Sequence, residues 1–311
     1  MRAVVQRRYG GPETLEVEEV SRPTVGSDQA LVRVRAAALN PTDRIIMRGF
    51  LRPQTGWRRP RQPVRGFDVA GIVEAVGADV ADLAPGDAVY GSCRGSLAEY
   101  AVGAPDKLVP KPERLSFEQA AGIAVAGTMA LEALRDHAQL RAGQRIAITG
   151  ATGGVGSFAV QIAKAYGAHV TAVCRTENVE LAQSLGADRV FDYTREDYLA
   201  DERYDAIFDN GGGRSLRELR RAVAPDGVVV LNCGQDVSLI VAGWAARLLR
   251  RRGVKQFVRK VTRADLLELS ALVEDGSVTP VVDRTYPLAE TPAAMSYLME
   301  RHPRGKVVVI P

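Results

Sequence analysis

The chain has 311 residues, 46% of them hydrophobic and 25% charged, and 41 basic against 37 acidic side chains leave a formal net charge of +4. This is the composition of a globular protein long enough for two domains, and so small a basic excess does not indicate a nucleic-acid partner. The N-terminal residues lack the apolar run of a signal peptide, and no stretch of 18 apolar residues predicts a membrane span, so we expect a cytoplasmic protein without a membrane partner.

The first third of the sequence predicts short β-strands. Runs such as "ALVRVRAAAL" and "DVAGIVEAVG" alternate apolar and polar residues and are separated by Gly and Pro, as is typical of a small barrel-like β domain. A long segment, 48–65, interrupts these strands and contains six arginines and no acidic residue. We interpret it as a loop in which Arg58 is a candidate for binding an anionic group of a substrate; a merely solvated loop is the alternative.

From about residue 116 the pattern changes to alternating helices and strands. One predicted helix, "SFEQAAGIAVAGTMALEALRDHA", precedes the strand "RIAIT", and the strands "HVTAVC", "RVFDY", "YDAIFDN" and "GVVVLNCG" follow, with helical patterns such as "NVELAQSLG" and "SLRELRRAV" among them. This alternation predicts a parallel, doubly wound sheet, and therefore an α/β protein. The last part of the chain predicts a helix, a strand, a second helix and a final strand, "GKVVVI".

The turn "TGATGGVG" joins the first strand of this region to a helix. Glycines are required where the backbone adopts a positive φ angle or touches a ligand, and the following helix offers free N–H groups to a phosphate. Ala151 stands where the common dinucleotide fingerprint has a glycine, so the motif is a variant. We predict that the turn binds the pyrophosphate of a dinucleotide through Gly150, Thr152, Gly153, Gly154, Val155 and Gly156.

The residues at the end of the second strand, "AVCRTEN", indicate which dinucleotide is bound. An acidic residue here would bind the adenosine ribose, whereas an arginine accepts a 2′-phosphate. Arg175 stands at this place, with Thr176 and Asn178 as further candidate contacts, and the first acidic residue, Glu177, comes later. We therefore predict NADPH rather than NADH; a solvated surface charge is the alternative for Arg175.

Two more strand ends are expected at the cofactor, because ligands of doubly wound sheets bind at the carboxyl ends of the strands. They place Asn210, Gly211, Cys233 and Gly234 among the candidate cofactor contacts. A short-chain dehydrogenase is excluded, because no tyrosine in the chain is followed four residues later by lysine and the glycine turn lies mid-chain.

Stretches such as "ALNPTDRIIMRG", "GFDVAGIVEAVG", "AGTMALEAL", "TGATGGVG" and "RGKVVV" span nearly the whole chain in one order. In these stretches the sequence resembles the medium-chain dehydrogenase/reductase superfamily, most closely its zinc-independent, quinone oxidoreductase-like branch. The resemblance implies a GroES-like β-rich catalytic domain over 1–115 and 264–311, a Rossmann domain over 116–263, and a homodimer that pairs at the last strand of the Rossmann sheet, "KQFVRKV".

The same resemblance implies further site residues. Thr128, Tyr193 and Lys306 correspond to cofactor contacts of the family. Trp244 and Leu248 fall where the family has helices that line the substrate pocket, and we interpret them as apolar surface of the pocket, with the dimer interface as the alternative. A tyrosine packed in the core is the alternative for Tyr193, and a surface lysine is the alternative for Lys306.

Zinc is not expected. Zinc alcohol dehydrogenases of the superfamily have a cysteine near the position of Asn40 and a Gly-His-Glu motif, which here reads Gly66-Phe67-Asp68. The four closely spaced structural cysteines of those enzymes are also missing, and three scattered histidines do not supply a ligand cluster.

Without a metal or an obvious acid–base residue, the chemistry that remains is hydride transfer to an electron-poor acceptor, promoted by proximity and orientation. We predict an NADPH-dependent reductase of quinones or carbonyl-conjugated alkenes. Asn40 matches a family asparagine near the nicotinamide and is the candidate catalytic and substrate-pocket residue, with a turn cap as its alternative; Asp43 is expected to be structural. An NADPH-binding protein without turnover and a metal-independent alcohol or aldehyde oxidoreductase stay open.

Overall fold

The computed structural model describes residues 1–200, 203–232 and 253–311. The chain divides into two compact units, of which the first comprises Met1–Ala126, Val261–Glu274 and Pro280–Pro311, and the second Gly127–Lys260 and Asp275–Thr279. The first unit thus extends about ten residues beyond the boundary predicted at 116.

The first unit is built mainly from strands. They are β1 Arg2–Gln6, β2 Leu15–Glu19, β3 Ala30–Ala38, β4 Asp68–Val76, β5 Ala88–Ser92, β6 Tyr100–Gly103, β7 Leu108–Pro110, β14 Val282–Pro287 and β15 Lys306–Ile310. β1 and β2 pair with each other, and the larger sheet has the order β14-β15-β3-β4-β5-β7, with β6 pairing with β3. The C-terminal strand β15 therefore lies beside β3, which joins the last residues of the chain to the sheet built from its first third.

Alternation accounts for β3. Arg33 and Arg35 are exposed, whereas Val32 and Val34 between and beside them are buried, because successive side chains of a strand point to opposite faces. The helices of this unit are α1 Pro41–Met47, α2 Arg52–Thr55, α3 Phe117–Ala121, α8 Arg263–Glu274 and α9 Thr291–Glu300.

The second unit contains a six-stranded parallel sheet of order β10-β9-β8-β11-β12-β13. Its strands are β8 Arg145–Thr149, β9 His169–Cys174, β10 Arg189–Asp192, β11 Tyr204–Asp209, β12 Val223–Leu231 and β13 Val254–Gln256, and its helices include α5 Gly154–Ala165, α6 Val179–Ser184 and α7 Leu216–Ala222. The α/β class, with a β-rich unit and a doubly wound parallel unit, is confirmed. Successive strands run outward from β8 on one side and from β11 on the other, so the order of the sheet reverses between these two strands. Ligands bind at such a reversal in doubly wound sheets.

The single helix predicted over residues 116–138 is wrong. The structure has α3, then α4 Ala124–Glu132, then a π-helical turn, Ala133–His137. Ser116 and Gln119 close α3 at its N-terminus in a reciprocal capping box. The chain leaves the helical path after α3, and the N–H of Val125 then donates to the Asp68 carboxylate at 3.1 Å. A hydrogen bond to a residue distant in sequence thus accompanies the break between α3 and α4. The periodicity of the sequence does not indicate this contact.

The last strand of the second unit was predicted over "KQFVRKV". The structure has the shorter strand β13, Val254–Gln256, at the edge of the sheet. A homodimer formed at this strand stays a prediction. In the described part of the chain, no helix combines the length and hydropathy needed to cross a bilayer.

Candidate functional site

The glycine turn lies between β8 and α5, at the point where the sheet order reverses. Gly150 adopts a left-handed backbone with φ of +59°, and Gly153 is the N-cap of α5. A Cβ atom at Gly156 would lie 2.0 Å from the Gly150 carbonyl oxygen and 2.8 Å from the Ala151 backbone. The first turn of α5 therefore packs directly on the turn, a contact that only glycine permits.

The outer side of the same turn is open among the residues that the structure describes. A Cβ atom at Gly153 would have one described neighbour within 4 Å, the Gly150 carbonyl oxygen at 3.4 Å. Gly154, Val155 and Gly156 form the first turn of α5, whose N–H groups have no acceptor within the helix. Backbone donors and space are thus combined where the sequence predicted a pyrophosphate.

The end of β11 is tied to the same turn. The Thr149 hydroxyl accepts hydrogen bonds from the N–H groups of Asn210 (2.9 Å) and Gly211 (2.8 Å) and donates to the Asp209 carboxylate (2.7 Å). Burial raises the pKa of Asp209. The structure thus brings Asn210 and Gly211 beside the glycine turn, as the sequence led us to expect. It adds Thr149 and Asp209, whose importance follows only from knowing that β8 and β11 are neighbours.

The predicted adenosine end of the site lies after β9. The Arg175 guanidinium donates through Nε to the Tyr193 hydroxyl at 2.6 Å, and the Tyr193 N–H donates to the Cys174 carbonyl at 3.1 Å. The side chain of Tyr193 is 46% exposed, so its alternative as a core residue is wrong. Thr176 hydrogen-bonds through its hydroxyl to the carboxylate of Asp192. A guanidinium and a phenol hydroxyl therefore stand together at an accessible strand end.

The other predicted cofactor contacts are placed as follows. Asn178 is buried at the start of α6, and its Oδ1 has no hydrogen-bond partner among the described residues. Thr128 on α4 and Thr152 in the glycine turn are buried. Burial raises the pKa of the Cys174 thiol to about 11, so this thiol is not a nucleophile at neutral pH. Cys233, Gly234, Trp244 and Leu248 lie outside the described residues.

The first unit holds a buried charged network. Lys306 donates through Nζ to Asn40 Oδ1 at 2.6 Å and to Asp68 Oδ2 at 3.3 Å, and Asn40 Nδ2 donates to the same Asp68 oxygen at 3.0 Å. Lys306, Asn40 and Asp68 are 3%, 2% and 0% exposed. The alternative of a surface lysine is therefore wrong. An ion pair this deep depends on complete hydrogen bonding to offset its desolvation.

Three adjacent strands assemble this network. Asn40 follows β3, Asp68 begins β4 and Lys306 begins β15, and these strands are neighbours in the order β15-β3-β4. Asn40 is the N-cap of α1 by its backbone, as the cap interpretation required, while its amide is held by Lys306 and Asp68. Arg58 is exposed in segment 48–65, and its contact with a substrate stays a prediction.

Asp43 lies in the first turn of α1 and is linked to this network through Asn40. Its Oδ2 accepts the Asn40 N–H at 2.9 Å, and its Oδ1 has no hydrogen-bond partner among the described residues. Burial raises the pKa of Asp43 to about 6; Asp68 adds to the increase, whereas Arg65 and Lys306 oppose it.

Asp43 should therefore make the stability of the folded protein pH-dependent. Because its folded pKa lies above the ordinary value, the folded state binds the proton more tightly, and this stabilisation is present below about pH 4 and is lost as pH rises through about 6. Relative to the Asp43→Asn variant, the wild type should lose roughly 3 kcal/mol of unfolding free energy between pH 4 and pH 7. Urea titrations of both proteins across this range measure the difference. The exposed Asp79→Asn is the control, and parallel profiles for wild type and Asp43→Asn would contradict the assignment.

Among the residues that the structure describes, no group of three His, Cys, Asp or Glu side chains could hold a metal ion. Of the two positions that the resemblance compares with zinc ligands, Asn40 contacts the Lys306 ammonium, and Phe67 has no ligating side-chain atom. A divalent cation beside that ammonium would be repelled.

The chain is similar over its whole length to known proteins. Residues 26–113 match the family described as "Alcohol dehydrogenase GroES-like domain", and residues 185–309 match "Zinc-binding dehydrogenase". A chloroplastic NADPH-dependent alkenal/one oxidoreductase of Arabidopsis thaliana is 36% identical over 100% of this chain and 80% of its own length. A chloroplast envelope quinone oxidoreductase homolog of the same plant is 33% identical over 100% and 98%. Among solved structures, the quinone oxidoreductase of Coxiella burnetii superposes with a TM-score of 0.90 at 29% identity, covering 100% and 99%.

Proposed function

This chain belongs to the medium-chain dehydrogenase/reductase superfamily, in its quinone oxidoreductase-like branch, and from that premise we propose that it is an NADPH-dependent reductase of quinones or carbonyl-conjugated alkenes. The observation that carries the proposal is the glycine turn at the sheet reversal, closed on its inner side by Gly156 and open on its outer side at Gly153. The names of the similar plant enzymes support the acceptor class.

The residues of the second unit fit a dinucleotide with a 2′-phosphate. The first turn of α5 would bind the pyrophosphate, and Arg175 with Tyr193 would bind the adenosine phosphate, since an arginine makes two parallel hydrogen bonds to a phosphate. When bound, NADPH supplies a hydride. At the end of β9, where an NADH-binding protein would have an acidic residue, this chain has Arg175.

Replacing Arg175 with glutamine should weaken NADPH binding about 10- to 100-fold, because a hydrogen-bonded charge on phosphate is lost. NADH binding should stay the same, since NADH lacks the phosphate. Fluorescence titration with both nucleotides measures this, and Arg141→Gln, which removes an exposed arginine of the same unit, is the control. An equal loss for NADH and NADPH would show that Arg175 does not read the 2′-phosphate.

We assign to Asn40 the hydrogen bond that stabilises the acceptor. Its Nδ2 donates to Asp68 at 3.0 Å and to the Ala38 carbonyl at 3.3 Å, and the longer contact is the one that a substrate carbonyl would replace. Lys306, at 2.6 Å from Oδ1, polarises the amide and makes Nδ2 a stronger donor. Negative charge developing on the oxygen of an enolate or hydroquinone anion would be stabilised there.

The reaction balances without a metal. Two electrons and one hydrogen nucleus reach the acceptor as a hydride, at the β-carbon of an enone or at a quinone, and water supplies the proton that completes the product. Zinc independence is part of this proposal and is supported by the Lys306 ammonium beside Asn40 and by Phe67, which offers no ligating atom where the zinc enzymes have a histidine. The plant relatives carry chloroplast names, and the cytoplasmic location of this chain stays a prediction.

Deuterium transfer tests the reaction type. NADPH deuterated at C4 of the nicotinamide should deliver one deuterium to the β-carbon of an enone, detected in the product by mass spectrometry and NMR. Deuterium transfer to the carbonyl carbon, giving an alcohol, would indicate the alcohol and aldehyde oxidoreductase instead. Tight NADPH binding without transfer to any acceptor would indicate a binding protein.

A further inference from the structure

Segment 48–65 exposes two aromatic side chains on a basic surface. Phe50 is 61% exposed and Trp57 70% exposed, although side chains of this size are normally covered. Arg58, Arg59 and Arg61, which follow Trp57 in the sequence, are exposed, and the segment contains six arginines and no acidic residue. We refer to residues 57–61 as the basic tip.

Hydrogen bonds hold the basic tip in place from both sides. The Tyr9 hydroxyl contacts the Thr55 hydroxyl at 2.8 Å and donates to the Gly56 carbonyl at 2.7 Å. The Arg61 N–H donates to the Thr55 carbonyl at 2.8 Å, which closes a loop around the tip. Gly56 has a φ of +122°, and a Cβ there would lie 2.2 Å from the Arg59 carbonyl oxygen, so the turn is tight.

This fixed geometry holds Trp57 and the arginines out in solvent as one surface. Segment 48–65 supplies no acidic side chain to the exposed arginines of the basic tip, so this surface carries an excess of positive charge that complements an anionic partner. A nucleic acid is the weaker candidate, because the net charge of the whole chain is only +4.

We propose that the basic tip docks this protein peripherally onto a bilayer that contains anionic phospholipids. Arginine pairs with lipid phosphate through two hydrogen bonds, and a tryptophan inserts its ring at the headgroup level. Such docking requires no membrane-spanning helix. The expectation of no membrane partner considered only a signal peptide and membrane spans, neither of which bears on peripheral docking. The docking is independent of the proposed reductase activity, and each can fail without the other.

Vesicle co-sedimentation of the whole protein, without nucleotide or substrate, tests the proposal. The protein should sediment with vesicles of phosphatidylcholine and phosphatidylserine, bind much less to phosphatidylcholine alone, and be released by salt. Arg59→Gln/Arg61→Gln should lower the partition coefficient about 25-fold, since each basic residue near an anionic surface contributes about fivefold. The matched control, Arg141→Gln/Arg217→Gln, removes two exposed arginines of the second unit and should bind like the wild type.

Tryptophan fluorescence supplies the second measurement. Anionic vesicles should shift the emission of the wild type to shorter wavelength, and this shift should be absent in Trp57→Ser, whose melting temperature verifies folding. Equal loss of binding in both arginine pairs, or binding that does not depend on phosphatidylserine, would overturn the proposal. The sedimentation coefficient of the protein without vesicles supplies a further check. If Trp57→Ser changed it, the proposal would be overturned, because the basic tip would then be an interface between copies of the chain.

Discussion

Replacing Lys306 with methionine should lower the free energy of unfolding by about 3–5 kcal/mol, because the Asp68 carboxylate would stay buried without its counter-charge. Asp68 is fully buried, and its Oδ2 receives hydrogen bonds from Lys306 and Asn40. Methionine matches the length of lysine but supplies no donor. Denaturant unfolding of wild type and variant measures the loss.

A second substitution separates the loss of charge pairing from a loss of packing. In Lys306→Met/Asp68→Asn the buried charge is gone, and the asparagine oxygen can still accept the Val125 N–H that Asp68 Oδ1 accepts at 3.1 Å. We expect the double variant to recover most of the stability, since replacing both partners of a buried pair is far less destabilising than removing one. A double variant as unstable as Lys306→Met would mean that packing of the lysine stem, rather than the ion pair, is what matters.

Alanine at two glycines of the same turn should have opposite consequences. At Gly156 the new Cβ would lie 2.0 Å from the Gly150 carbonyl oxygen, so the turn must distort, at a cost of about 1–3 kcal/mol or more in stability. At Gly153 the Cβ would face the open side, 3.4 Å from its one described neighbour, and the φ of −78° suits alanine.

Gly153→Ala should therefore keep the melting temperature of the wild type while NADPH binding falls at least about tenfold, because the methyl group takes the space that the pyrophosphate backbone contact needs. Gly156→Ala should lose both stability and nucleotide binding. Thermal unfolding and fluorescence titration of the two variants measure these effects. If Gly153→Ala bound NADPH like the wild type, the pyrophosphate would not lie on this side of the turn.

The contrast between the two units shows what the sequence can predict. Arg175 was predicted because it follows a strand of a repeating pattern, Tyr193 was predicted from the family resemblance, and the structure joins the two side chains at 2.6 Å. The role of Asp68 was missed, since it was noted only as a departure from a zinc motif. Its partner Lys306 is 238 residues away, and only the sheet order β15-β3-β4 brings them together.

Local sequence patterns did not predict the features that depend on tertiary contacts. The helical pattern over 116–138 is continuous, and the break after α3, where Val125 reaches Asp68, depends on a strand that lies more than 50 residues earlier. Similarly, the arginines of segment 48–65 were visible in the sequence. That the chain presents Trp57 with them on a closed, exposed turn follows from the contacts of Tyr9, Thr55 and Arg61.

The most direct test of the reductase function is steady-state consumption of the reduced nucleotide. NADPH and, separately, NADH are mixed with the purified protein and a panel of quinones, enals and enones, and absorbance of the nicotinamide is followed with product analysis. We predict turnover of at least one quinone or conjugated carbonyl, with kcat/KM higher for NADPH than for NADH. NADPH that binds but is not oxidised by any acceptor of the panel, or no binding of either nucleotide, would contradict the assignment.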